Sequence, residues 1–222
     1  MIRFESIRTS LIRSEPYKEQ YNALWWKEAQ ESLFPGSKLI SIILYSDSSL
    51  YDKLGKTSKH PIYLSLGNIP YERRNKVDAK VIVGYLPIIS LKDKNSSTNR
   101  LLKLKSFQNS MKIITTPLFE QFELGTYIKI LDNTILCTMK ISMIIADWLE
   151  ASSFCLTYSS SNGEHPCHSC ITPKTKFNII DIPSSEIVIR TKDQTLQIIE
   201  NGLEKKYSVY NLWNIFWNHS YV

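Results

Sequence analysis

Five stretches of the chain join apolar residues to polar turns, and each of them predicts a β-strand. They are residues 39–45, 60–70, 80–87, 126–131 and 134–145. Each is rich in β-branched or aromatic residues, which favour the pleated surface of a sheet. Two further apolar runs near the C-terminus, residues 187–190 and 195–199, also predict strands.

Apolar residues recur at helical spacing in two other regions. The first covers residues 21–33 and ends at Pro35-Gly36. The second covers residues 101–118 and predicts a long amphipathic helix that covers the sheet. Its apolar positions are Leu101, Leu102, Leu104, Phe107, Met111, Ile114 and Leu118. Strands and helices in this order indicate an α/β fold with a mixed sheet.

A carboxylate residue stands directly after two of the predicted strands. Asp47 follows the first strand, and Asp147 follows residues 134–145. An acid at the tip of a buried strand is suited to holding a divalent metal ion. Structural alternatives stay open, because Asp47 could be a turn acid or a helix cap. Asp147 could cap a helix that starts at Trp148, with Glu150 as its capping partner.

Three blocks and one dipeptide together resemble the Plavaka-type, Kyakuja-Dileera-Zisupton-like transposases of fungi. The blocks are residues 42–47, 60–70 and 84–87, and the dipeptide is Arg73-Arg74. The resemblance runs from Trp25 to Trp217, and the block around Asn68 is its most specific part.

This resemblance implies an RNase H-like mixed sheet with an Asp-Asp-Glu active site. Asp47 and Asp147 match the positions of its first two metal-binding acids. Carboxylates of this kind hold two Mg²⁺ or Mn²⁺ ions about 4 Å apart for cleavage and transfer of DNA strands. The resemblance therefore predicts transposon ends as the DNA partner, and a homo-oligomer is a further candidate assembly.

The third acid of such a site is not identifiable from the sequence. In the resembled family the catalytic Glu lies further along, whereas this chain stops at Val222. We therefore expect a truncated and catalytically incomplete domain, unless Glu186, Glu200 or Glu204 stands beside the two aspartates. The alternatives are a non-catalytic nucleic-acid-binding or interaction module retained from a transposon, and a remnant without selected function.

A Cys-x-x-Cys motif at Cys167 and Cys170 gives the strongest local metal signal. Such a turn presents two thiolates to one tetrahedral Zn²⁺, and His165 or His168 could add a ligand. A closed structural site needs four ligands, and no second Cys-x-x-Cys follows. Buried or incidental cysteines therefore remain the alternative to a Zn²⁺ site in a small insertion.

Charge adds a weaker indication of a polyanionic partner. The chain has 222 residues, 43% of them hydrophobic, and a formal net charge of +6. Arg73, Arg74 and Lys76 form a basic turn that could contact DNA phosphates, although a solvated loop is the common alternative.

The predicted organisation has three parts. Residues 1–36 form a helical lead-in, residues 37–160 the RNase H-like core, and residues 161–222 the Cys-x-x-Cys insertion with a β-rich C-terminal segment. Because no apolar stretch is long enough to span a bilayer and no secretory leader is recognisable, we expect neither membrane insertion nor secretion. The proposed DNA partner predicts a nuclear location, and otherwise a cytoplasmic one.

Overall fold

The computed structural model describes residues 19–50, 58–89, 97–160 and 163–218, which fold into strands and helices. The strands are β1 (Lys38–Ser46), β2 (Ser49–Leu50), β3 (Ser58–Lys59), β4 (Pro61–Leu66), β5 (Lys80–Tyr85), β6 (Thr126–Ile130) and β7 (Asn133–Ile145). The helices are α1 (Leu24–Glu31), α2 (Tyr71–Arg74), α3 (Ser97–Leu124), α4 (Trp148–Cys155), α5 (Lys192–Glu200) and α6 (Glu204–Tyr207). Five short 3₁₀ turns accompany them, at Gln20–Asn22, Val77–Ala79, Lys174–Lys176, Ser184–Glu186 and Ile215–Asn218.

These elements belong to two compact units. Among the described residues, the sheet unit comprises residues 19–50, 58–88 and 110–145. The second unit comprises residues 89, 97–109, 146–160 and 163–218. Helix α3 contributes its N-terminal part to the second unit and its C-terminal part to the sheet unit. Within the described residues, no helix combines the length and the hydrophobicity that crossing a membrane requires.

The sheet unit is built on a five-stranded mixed sheet with the order β5-β4-β1-β7-β6. Strand β1 pairs antiparallel with β4 and parallel with β7, while β4–β5 and β6–β7 are antiparallel. A separate antiparallel pair joins β2 to β3. The structure thus confirms the predicted mixed α/β sheet and the five predicted strands that form it.

The central strand β1 is buried on both faces, as a strand between two neighbours requires. Ile42 and Leu44 are almost fully buried, and Ile62 of β4 is completely buried beside them. Ser41 and Ser46 of β1 are also buried. An almost continuous apolar run is typical of a strand covered on both sides.

The C-terminal part of α3 covers one face of this sheet, as the helical spacing predicted. Met111 and Thr115 are fully buried, and the Thr115 hydroxyl donates to the Met111 carbonyl at 2.8 Å. Gly84 of β5 lies so close to α3 that an added Cβ would meet Ile114 Cδ1 at 3.2 Å. A residue without a side chain therefore lets the helix approach the edge of the sheet.

The turn after β4 ties this strand to β1 through side-chain and backbone amides. Asn68 Nδ2 donates to the Leu39 carbonyl at 2.8 Å, and Asn68 Oδ1 accepts from the Ser41 N–H at 2.9 Å. The Gly67 N–H donates to the Ser41 carbonyl at 2.8 Å. A Cβ on Gly67 would collide with Gln20 and Ser41, so the contact requires glycine. These contacts give a structural reason for the specific sequence block around Asn68.

The second unit has its own apolar core. The Phe107 and Phe154 rings meet edge to face with centroids 4.9 Å apart. Gln108 Nε2 donates to the Ser153 carbonyl at 2.9 Å, and Asn214 Nδ2 donates to the Phe154 carbonyl at 2.7 Å. The buried amide side chains therefore satisfy carbonyls near the end of α4, where a helix has no backbone partners of its own.

The strand predictions near the C-terminus need correction. Residues 195–199 lie inside helix α5, and residues 187–190 contribute only an isolated bridge between Cys170 and Ile189. Thr191 begins α5 with a capping box, because its side chain accepts from Gln194 N and the Gln194 side chain accepts from Thr191 N. Thr195 and Ile198 are buried three residues apart, which is a helical spacing.

Candidate functional site

Asp47 lies one residue beyond β1 and is half-buried. Its Oδ2 accepts a hydrogen bond of 3.0 Å from the hydroxyl of Tyr45. Just before it, Ser46 Oγ lies 3.1 Å from His60 Nε2. A carboxylate has two oxygens, so the bond from Tyr45 orients Asp47 and leaves Oδ1 as a further acceptor.

Asp147 caps helix α4, as the structural alternative predicted. Its Oδ1 accepts from the Glu150 N–H at 2.8 Å, and its carbonyl accepts from the Ala151 N–H at 2.8 Å. The side chain is exposed, whereas Glu150 is only 8% exposed. Because the cap uses Oδ1, Oδ2 is a further acceptor that the cap does not need.

The two aspartates follow strands that end at the same edge of the sheet. Strands β1 and β7 run parallel, and the last pair in their register is Tyr45 with Ile145. Asp47 lies two residues beyond Tyr45, and Asp147 lies two residues beyond Ile145. Parallel neighbouring strands have their C-terminal ends on the same side of a sheet. Each aspartate lies two residues beyond the last paired residue of its strand.

The two motif cysteines lie in a loop of the second unit and interact with each other. A hydrogen bond between the thiols raises the pKa of Cys167 and lowers the pKa of Cys170. The Ser169 N–H donates to Cys167 Sγ at 3.3 Å, and Cys170 Sγ lies 3.2 Å from Thr172 Oγ1. Two sulfur atoms presented from one turn form half of a tetrahedral thiolate site.

Arg190 lies behind the cysteine loop and is only 4% exposed. Its Nη2 contacts three carbonyls, those of His165 at 3.3 Å, Cys167 at 3.0 Å and Tyr207 at 3.0 Å. The Arg190 N–H also donates to the Ser169 carbonyl at 3.0 Å. Arg190 therefore holds the loop from its backbone and from its side chain.

Several buried polar atoms around this loop have no hydrogen-bond partner among the described residues. They are Nε and Nη1 of Arg190 and Nδ1 of His168. Burial lowers the pKa of His168, whose ring meets Trp148 edge to face at 4.7 Å. Buried polar atoms are normally paired, so these atoms mark the loop as a place for a further polar group.

His165 has a different environment from His168. Its Nδ1 lies 2.7 Å from the Ile171 carbonyl, and its ring stacks on Tyr207 with centroids 4.5 Å apart. Its Nε2 lies 3.5 Å from a carboxylate oxygen of Glu164. Both ring nitrogens of His165 therefore have protein partners, which indicates a structural residue.

Comparison with known proteins assigns the chain to a family. A family model described as Plavaka transposase matches residues 6–221, which is nearly the whole chain. The chain belongs to the Plavaka transposase family. None of the curated proteins compared with this chain matches it. Membership makes the chain a transposase-derived protein, and transposases bind DNA and generally use divalent metal ions.

The basic turn of this Plavaka family member lies largely within internal contacts. Arg73 forms a bidentate pair with Asp78, with two N–O distances of 2.7 Å. Arg74 Nη1 donates to the Ile69 carbonyl at 3.0 Å, and its Nη2 lies 3.7 Å from a Glu19 oxygen. Lys76 is exposed. Contact between this turn and DNA stays a prediction.

The candidate third acids all lie in the second unit. Glu186 pairs with Lys176 at 2.9 Å, and Glu204 Oε1 lies 3.4 Å from Asn211 Nδ2. Glu200 is the last residue of α5. Within residues 19–50, 58–89, 97–160 and 163–218, no group of three acidic, histidine or cysteine side chains could hold a metal ion. A third ligand for the two aspartates is therefore not found in the part of the chain that the structure describes.

Two residues of these sites were missed at the level of sequence. Arg190 follows a short apolar run, and only the folded loop reveals that it is buried against three carbonyls. Tyr45 reads as an ordinary strand residue, although its position two residues before Asp47 could have suggested the hydrogen bond, because side chains two apart lie on one face of a strand.

Proposed function

We propose that this Plavaka family member handles DNA through an RNase H-like sheet, with Asp47 and Asp147 as ligands of Mg²⁺ or Mn²⁺ for strand cleavage and transfer. The observation that carries this proposal is the register of β1 and β7. Tyr45 pairs with Ile145, and each strand reaches an aspartate two residues later.

The sheet topology supports the RNase H-like part of the proposal. The first three strands of the five-stranded sheet along the chain, β1, β4 and β5, pair antiparallel in that order. Strand β7 then returns on the other side of β1 and runs parallel to it. A first strand with an antiparallel neighbour on one side and a parallel neighbour on the other supports the proposal of an RNase H-like sheet.

The donor set fits a hard divalent cation. Carboxylate oxygens are the ligands that Mg²⁺ and Mn²⁺ prefer, and each aspartate has an oxygen beyond the one used within the protein. A bound ion would stabilise charge on the reacting phosphate and activate water or a hydroxyl group. Tyr45 orients the first carboxylate, and the start of α4 orients the second.

The cysteine loop fits a different metal. Cys167 and Cys170 supply soft sulfur ligands, and the buried Nδ1 of His168 lacks a partner among the described residues. We propose a structural Zn²⁺ at this loop, with Cys167 and Cys170 as two of its ligands. Such an ion would stabilise the fold of the second unit and would take no part in the chemistry on DNA.

The proposal is tested by nicking of supercoiled plasmid DNA by the purified chain with Mg²⁺ or Mn²⁺. If the chain supplies a third ligand, it should nick DNA, EDTA should abolish the nicking, and Asp47→Asn and Asp147→Asn should each remove it. Absence of nicking is the result expected of a catalytically incomplete domain. Asparagine keeps the shape and also caps helices well, so the Asp147 variant loses the charge while retaining α4.

Asp132→Asn is the matched control. Asp132 is exposed in the turn between β6 and β7, so its amide variant should nick like the unaltered chain. Nicking that survives in both aspartate variants, or that is lost equally in the control, contradicts the assignment of the two ligands.

One observation favours a second candidate, a non-catalytic nucleic-acid-binding or interaction module retained from a transposon. No three-ligand metal group occurs within the described residues. DNA binding without metal-dependent nicking would support this module. Both candidates share three further proposals. These are a nuclear location, transposon ends as the bound DNA, and DNA contact through Arg73, Arg74 and Lys76.

A further inference from the structure

The sheet unit presents a row of three tyrosines on one face. Tyr45 of β1 is the direct partner of Tyr63 of β4, and their ring centroids lie 6.0 Å apart. Tyr85 of β5 is the partner of Pro61. Side chains two residues apart on a strand share a face, so Pro61 and Tyr63, and with them all three tyrosines, share one face.

This face is the one opposite helix α3. Ile62, which alternates with Pro61 and Tyr63, is completely buried, and its partner Gly84 lies against Ile114 of α3. On the tyrosine face, Tyr45 is 39% exposed and Tyr85 is 55% exposed. Tyr63 is half-buried between them. The row therefore presents ring surface at the end of the sheet that is not covered by the helix.

The charges on this face suit a polyanion. The ammonium of Lys59 lies 5.8 Å from the centre of the Tyr85 ring. Lys80 pairs with Ser65, which shares the face of Tyr63, so Lys80 lies on the tyrosine face as well. Among the described positions of β4 and β5 on this face, Pro61, Tyr63, Ser65, Lys80, Ile82 and Tyr85, none is acidic. Rings and lysines at these positions of β4 and β5, with Asp47 as the carboxylate next to Tyr45, favour nucleic acid over an acidic protein surface.

The row ends at the candidate metal ligand. The Tyr45 hydroxyl donates to Asp47 Oδ2 at 3.0 Å. One member of the row is therefore hydrogen-bonded to the carboxylate that we propose as a metal ligand. A DNA strand whose bases stack on the tyrosines would carry its phosphate backbone past Asp47, which follows β1. Stacking needs exposed base faces, which single strands offer and intact duplexes do not.

We propose that Tyr45, Tyr63 and Tyr85, with Lys59 and Lys80, form a stacking platform that binds single-stranded DNA and leads it to Asp47. The inference rests on the DNA-binding part of the proposed function and names the strand that this part binds. It does not depend on catalysis, because stacking and phosphate contacts need no divalent ion.

The test is fluorescence anisotropy of a labelled oligothymidylate with the purified chain in EDTA. We expect Tyr63→Ala and Tyr85→Ala each to weaken binding by about tenfold, since one stacked base is lost. Tyr85→Phe keeps the ring and should bind within about twofold of the unaltered chain. Binding to the same sequence as a duplex should be weaker and insensitive to these changes.

The matched control is Tyr127→Ala in β6. Tyr127 is 73% exposed and belongs to the same sheet, but its strand is at the opposite edge. We expect its affinity to equal that of the unaltered chain. Equal losses at Tyr127 and Tyr85, or full binding by Tyr63→Ala and Tyr85→Ala, would overturn the platform.

A second measurement needs no variant and so does not depend on the folding of one. Photocrosslinking of a bromodeoxyuridine oligonucleotide to the unaltered chain, read by mass spectrometry, should label peptides that contain Tyr63 or Tyr85. Labelling confined to other peptides would overturn the platform. Platform binding without metal-dependent nicking would uphold this inference and reject the catalytic part of the proposed function.

Discussion

The turn at Gly67-Asn68 and the loop at Cys167–Cys170 differ in how completely their polar atoms are hydrogen-bonded within the protein. Each brings several backbone groups close together next to a buried residue, Ser41 at the turn and Arg190 at the loop. At the turn, Asn68 and Gly67 pair with the N–H and carbonyl groups of β1. At the loop, Nδ1 of His168, which a metal ion could bind, is buried and has no partner among the described residues. The turn is satisfied by its own protein groups, whereas the loop has the chemistry of a site that a further group completes.

The largest expected effect is at Asn68. In Asn68→Ala, the Ser41 N–H and the Leu39 carbonyl lose their side-chain partners; both of these residues are at most 2% exposed, whereas Asn68 itself is exposed. The loss of two hydrogen bonds to the backbone of the central strand should lower the free energy of unfolding by about 3 kcal/mol. Urea denaturation measures this change.

Asn75→Ala is the control for that measurement. Asn75 is exposed just after α2, so its variant should change the free energy of unfolding by less than about 0.5 kcal/mol. If both variants unfold at the same urea concentration, the turn is not the satisfied element described above.

A somewhat smaller effect is expected from Zn²⁺ at the cysteine loop. If Zn²⁺ completes the loop, free ion at a hundred times its dissociation constant should stabilise the folded chain by about 2.7 kcal/mol. Thermal unfolding with Zn²⁺ and with a chelator measures the difference, and Cys167→Ser or Cys170→Ser should abolish it. Cys137→Ser is the control, because Cys137 is a buried cysteine of β7 in the other unit. An unchanged melting temperature with Zn²⁺ would remove the contrast between turn and loop.

The smallest effect is expected at the start of α4, where the second unit is satisfied by its own groups. Asp147→Ala removes the acceptor for the Glu150 N–H and should cost about 1 kcal/mol, while Asp147→Asn should cost only a few tenths. Denaturant unfolding of the two variants in a chelator separates the cap from any contribution of a bound metal. Equal losses in both would show that charge, and not the cap, stabilises α4.

Much of the sheet could be predicted from the chain because its signals are local. The apolar run of β1 and the turn at Asp132 between β6 and β7 follow from short-range patterns. Residues 195–199, which lie in helix α5, are predicted as a strand because Leu196, Ile198 and Ile199 are apolar, whereas the capping box at Thr191 and Gln194 indicates a helix. A cap of this kind is a stronger indication than a short apolar run, which fits either structure.

The candidate sites could be predicted only in part for a related reason. The cap at Asp147 depends on residues three apart, and the sequence therefore suggested it correctly. The burial of Arg190 depends on carbonyls of residues 165, 167 and 207, which come together only in the folded unit. The tyrosine row likewise needs the register of three strands, which alternation within one strand cannot supply.

The amide of Asn68 has a consequence for how the chain avoids misfolding. A side-chain amide carries donor and acceptor groups side by side, and Asn68 uses both on the backbone of β1, at the Leu39 carbonyl and the Ser41 N–H. Sliding β4 by one residue would turn its apolar side chains to the other face and also break both bonds. Asn68 therefore favours one alignment of β4 on β1 over alignments that are shifted by one residue.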